Sequence, residues 1–170
     1  MVALTSRLAL GFWLFVSSPL LAQENLAFKP PSSWELGGPP QQTKDRLLME
    51  FVKKGDTLTN WTELLTVDQV KRDKKSPQTY HAALEGLKST WEQRCPRLTE
   101  WQILDEADGL FVYEWRTTGP CGGHPPQTEL VRLMFGKKTG YRVGYNIRGE
   151  LTAEMRATWL EWLRNLRLVR

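Results

Sequence analysis

From Trp101 to Arg148 the chain is a series of short runs in which apolar and polar residues alternate, separated by turn-forming residues. A period of two sends successive side chains to opposite faces of an extended strand. Short connections then force neighbouring strands to pair antiparallel. Trp101 and Ile103 open the series, and Asp108-Gly109 turns the chain into Leu110–Thr117 (LFVYEWRT), where Phe111, Tyr113 and Trp115 share a face. The loop 119–126 (GPCGGHPP) is stiff and irregular. Glu129–Phe135 (ELVRLMF), a turn over 136–140 and Tyr141–Arg148 (YRVGYNIR) complete four strands. In the last of these Tyr141, Val143, Tyr145 and Ile147 point one way, and Arg142 and Arg148 the other.

Two helical patterns flank that series. Ser76 is placed to cap the first, Pro77 suits its first position, and Tyr80, Leu84, Leu87 and Trp91 form one apolar stripe that ends at Cys95-Pro96. Thr152 is placed to cap the second, with Met155, Trp159, Trp162, Leu163 and Leu166 as its buried stripe. Arg164 and Arg167 stand at its negative pole. Two earlier runs, Asp45–Val52 and Glu63–Val70, read as strands. The expected class is α+β, an antiparallel sheet with both amphipathic helices on one face, in the order strands, helix, four strands, helix.

The start of the chain reads as an export signal over residues 1–22. Arg7 supplies the positive start, Leu8–Val16 (LALGFWLFV) is apolar but too short to span a bilayer, and cleavage is expected after Ala22. Residues 23–44 read as an extended lead rich in proline and glycine, anchored by Trp34 and Leu36, and 45–170 as a single α+β domain. No second apolar run approaches spanning length, so the rest of the chain is expected to be soluble and periplasmic or secreted. Cys95 and Cys121 are the 2 cysteines of the chain. In an exported chain an even number favours a disulfide, worth roughly 3 kcal/mol for a loop of this size.

Two stretches carry a resemblance. Asn60–Val67 (NWTELLTV), and the run from Cys95 through Tyr113-Glu114-Trp115-Arg116, Cys121 and Glu129–Leu133 (ELVRL), resemble a set of small exported proteobacterial proteins of unassigned function. The likeness covers most of the chain after the leader. It implies a periplasmic protein and carries over no catalytic residue. The order of strands and helices is also similar to PsbP/Mog1-like domains, a topology that does not carry function by itself.

The functional readings start from exclusions. The chain has 23 basic and 19 acidic residues, a formal net charge of +4, which is far from the dense basic stripe that nucleic-acid binding needs. It contains no GxSxG, HExxH, Walker loop or glycine fingerprint, and no cofactor is expected. Cys121-Gly-Gly-His124, with Cys95 and His81, offers two sulfurs and two imidazoles for zinc, but lacks the paired spacing of a zinc site. The bridge with an exposed His124 is preferred, with no metal and no catalytic residue. On the strands, Arg116, Arg132, Arg142 and Arg148 alternate with apolar positions and are expected to project together from the helix-free face. Glu50, Glu114 and Glu129 lie on the same or adjacent rows. Guanidinium forks suit carboxylate and phosphate, so that face reads as a surface for an anionic ligand or an envelope protein. Of the tryptophans, Trp61 and Trp34 lie outside the regular stripes and are free to contact a ligand. The expectation is a binding or interaction domain using Arg116, Arg132, Arg142, Arg148, Trp61 and His124. The alternative is a small hydrolase or metal-dependent enzyme centred on His124.

Overall fold

The computed structural model describes residues 24–107 and 109–169. The expected leader, residues 1–22, lies outside the described residues. The elements run β1 (Asn25–Ala27), β2 (Trp34–Leu36), β3 (Gln41–Gln42), β4 (Arg46–Lys53), β5 (Glu63–Lys71), α1 (Tyr80–Arg94), β6 (Thr99–Ala107), β7 (Leu110–Thr117), β8 (Thr128–Phe135), β9 (Thr139–Ile147), α2 (Ala153–Asn165) and β10 (Arg167–Val169). The 8-stranded sheet has the order β2-β4-β5-β9-β8-β7-β6, with β3 also on β4, while β1 and β10 form a separate pair. Every pairing is antiparallel. The class is therefore α+β. Among the described residues no helix is long and apolar enough to cross a membrane.

The placement of the helices corrects the sequence reading, because they lie on opposite faces of the sheet. The reason is in the central strands. On β8, Leu130 and Met134 join the cluster of α2, with Trp159, Leu163 and Leu166, whereas Val131 and Leu133 join Leu84 of α1. A strand apolar on both sides needs cover on both sides. Two smaller departures follow from local bonding. The cap of α1 is Thr79, whose hydroxyl accepts from the Ala82 amide, because Ser76 is already turned back onto Asp73. The lead is also not a separate segment: β2 and β3 pair with β4, and Trp34 packs edge-on against Trp159 and Tyr145. Leu36, expected as an anchor, is exposed.

The C-terminus of α1 is fastened as the cysteine count suggests. Cys95 caps the helix, and its Cα lies 5.7 Å from that of Cys121, with which it forms a disulfide.

Candidate functional site

The stripe of α1 covers only part of its face. Tyr80, Leu84, Leu87 and Trp91 pack on Phe111, Tyr113 and Trp115 of β7 and on Val131 and Leu133 of β8. Among the described residues no helix lies above the same face of β9, β5 and β4. What results is an open groove of about 490 Å³, whose lining includes Leu48, Glu50, Thr66, Asp68, Glu129, Arg142 and Asn146.

The floor of this groove is polar. Glu129, 1% exposed, accepts from the Trp115 indole, from the Arg142 guanidinium and from the Asn146 amide at 3.1 Å. Position 144 on the neighbouring strand is a glycine, and a methyl there would displace the Glu129 carboxylate from its place. Burial opposes the charge on Arg142, but the Glu129 carboxylate and Tyr113 outweigh it and hold the guanidinium pKa above its ordinary value. Burial also pushes the Tyr113 phenol up to about 12. Beside this cluster Arg46 makes a two-pronged pair with Asp68, at 2.7 and 2.9 Å. Glu50 stands apart from these pairs. Its carboxylate accepts from the Gln41 amide at 3.4 Å, and desolvation raises its carboxyl pKa.

Each wall carries a tryptophan with a guanidinium over its face. On the β4–β5 side Trp61 is buried with Val52 and Leu64, and the Arg148 guanidinium sits 3.9 Å from its ring centroid. On the helix side Trp91 packs against Trp115, and Arg94 lies 5.2 Å above Trp91. Cation and ring attract through the quadrupole of the indole, which holds both guanidiniums in place without a counter-ion. His124 and Gln127 also line the groove. His124 is presented by a tight return in which the Cys121 and His124 backbones bond to each other, with Gly122 and Gly123 at φ of 58° and 84°. The disulfide ties this return to the end of α1.

Of the residues singled out in the sequence, Arg142, Arg148, Trp61 and His124 line this one groove. Arg116 and Arg132 do not, and the expectation that all four arginines project together is corrected by the register. Arg132 pairs across β8–β9 with Val143, so it shares a face with Val143 and not with Arg142. Arg132 is a helix cap: its Nη1 donates to the carbonyls of Leu163, Arg164 and Leu166 at 2.7, 2.8 and 2.9 Å, and its Nη2 to Gly109. Arg116 forms an exposed pair with Glu100 on that same face. Trp34 belongs to the core. The zinc set is dispersed as well, since both sulfurs are in the bridge and His81 meets Glu106 at 2.6 Å.

Sequence reasoning missed Arg94, Asn146 and Gly144, and took Glu129 for a surface residue. Glu129 gave one signal, the lone carboxylate of a run that is apolar apart from it and Arg132. The glycine opposite it cannot be recognised without the register. Set against models of protein families, curated proteins and solved structures, the chain matches none. The reading of function therefore rests on the groove.

Proposed function

We propose that the protein is an exported, non-catalytic binding domain that holds its ligand in the groove beside α1. One observation carries this reading: a buried, fully bonded carboxylate forms the floor of an open concavity. A buried ion pair adds little net stability compared with apolar residues of the same shape. Concave sites with a few convergent polar groups and aromatic walls are, by contrast, what small-molecule and peptide recognition requires. The oxidised Cys95–Cys121 pair and the apolar leader support export, and the resemblance to proteobacterial exported proteins supports the periplasm as the compartment.

The enzyme reading has one point in its favour, because His124 and the carboxylates share the groove. Two of those carboxylates are held by Arg46 and Arg142. Glu50 remains, and among the described residues no hydrogen bond links it to the His124 ring. Among the described residues no three His, Cys, Asp or Glu side chains gather as metal ligands either. Binding is the better-supported role.

The test is photo-crosslinking in living cells with a benzophenone amino acid at Leu48, in the groove, and at Glu161, on the exposed side of α2. Adducts are read by gel and by intact mass. The reading expects adducts from position 48 and none from position 161. Equal yields from both positions, or none from position 48, would count against it.

A further inference from the structure

The groove contains four arginines, and they divide into two kinds. Arg46 and Arg142 are neutralised by Asp68 and Glu129. Arg94 and Arg148 have no carboxylate partner among the described residues; each is held instead on the face of a tryptophan. Arg148 is further fixed by donating one Nη1 to the carbonyls of Trp61 and Thr59, at 3.2 and 3.5 Å, and its buried Nε has no partner. Arg116, Arg156 and Arg164, by contrast, are paired with carboxylates. Arg94 and Arg148 both face the groove, and among the described residues the Arg94 guanidinium and the Arg148 Nη2 keep donors for an incoming acceptor.

Their placement is set by the sheet. Trp61 stands over β5 and Trp91 over β7, with β9 and β8 between them. Three strand spacings separate the two walls by about 14 Å at floor level. Both arginines line the groove, and on its floor Glu129 is paired with Arg142 and Asp68 with Arg46, while Glu50 stands outside these pairs. The site therefore has unspent positive charge on its walls and none on its floor.

We infer that the ligand is acidic, and that Arg94 and Arg148 clasp its oxyanion group, a carboxylate or a phosphate. This rests on the groove being the binding site and names the class of ligand it takes. Arg116, Arg132 and Arg142, though equally cationic, take no part.

The test is NMR titration of the exported, disulfide-bonded protein, following arginine Nε–H and tryptophan indole signals. The probes are inorganic phosphate, acetate, and vesicles of phosphatidylglycerol or phosphatidylcholine. Saturable shifts at Arg94, Arg148, Trp61 and Trp91 with a free ion are expected, with Arg116 unmoved. Arg94→Gln and Arg148→Gln should each weaken binding about tenfold, the loss of one charge-assisted contact. Arg148→Lys keeps the charge and removes the fork, so it serves if the glutamine variant fails to fold, and should weaken binding in the same direction. Equal affinity in the wild type and the variants would overturn the inference. So would a response to phosphatidylglycerol vesicles with none to either free ion. If position 48 gives adducts in cells while neither ion binds, the groove stands and only the acidic assignment falls.

Discussion

The two faces of the sheet each carry one helix, yet one face is closed and the other half open. On the α2 face Trp34, Phe51, Leu65, Val67, Val143 and Tyr145 spread the apolar surface over four strands, and Phe28 packs edge-on against Trp162 of the helix. On the α1 face the aromatic patch stops at β8, and the next strand presents Arg142, Gly144 and Asn146. A helix follows apolar area, so α1 sits to one side and a polar strip stays uncovered. Both faces bury an arginine, and the contrast holds there too. Arg132 spends its donors on backbone carbonyls that need capping, while Arg142 meets a carboxylate beneath an open groove.

Five variants would break or sharpen this contrast. The largest effect belongs to Glu129→Ala, which leaves the Arg142 charge without its partner and should cost about 3 kcal/mol in urea unfolding. A cost under about 1 kcal/mol would mean that the floor is wet rather than buried. Next comes the double variant Cys95→Ser/Cys121→Ser, which opens a link across 26 residues and should lose roughly 3 kcal/mol. Hydrogen exchange should rise in α1 and residues 121–126 before it rises in α2. Arg132→Met strips the cap from α2 and should cost about 2 kcal/mol by thermal denaturation, with no effect on ligand binding.

The fourth effect is smaller and depends on pH. Burial raises the Glu50 pKa, so the folded protein holds this proton more tightly than the unfolded chain does. The resulting stabilisation is complete below the ordinary glutamate value and is lost as pH rises through the raised one. Glu50→Gln should therefore stabilise the protein near neutral pH, and its advantage should vanish below the ordinary glutamate range. Unfolding curves at both pH values check the sign. The smallest effect is that of Arg116→Gln, which removes an exposed pair worth no more than about 0.5 kcal/mol. A large loss there would show that the exposed side of β7 matters more than the groove.

Much of the fold was legible because alternation and helical stripes are local signals. Glu63–Val70, Leu110–Thr117, Glu129–Phe135 and both helix stripes match the observed elements to within a few residues. The helix faces were not legible. ELVRLMF is apolar on both faces apart from Glu129 and Arg132, and that Arg132 is buried beneath α2 is decided by the helix carbonyls it caps. The short strands β1, β2, β3 and β10 have no pattern of their own and exist through their partners. For the site, residue type pointed to Arg142, Arg148, Trp61 and His124. Face membership depends on register, which moved Arg116 and Arg132 away. Arg94 continues the line of the apolar stripe three residues after Trp91, but as a cation, and shows its role only once Trp91 lies beneath it.

The central claim is that the open half of the α1 face is where this protein holds something. Native mass spectrometry of the protein released gently from its own cells tests it most directly, with wild type beside Leu48→Trp, which fills the groove, and Arg116→Gln on the other face. The account predicts a bound mass on the wild type and on Arg116→Gln that is missing from Leu48→Trp. The same mass on all three proteins, or on none of them, would contradict it.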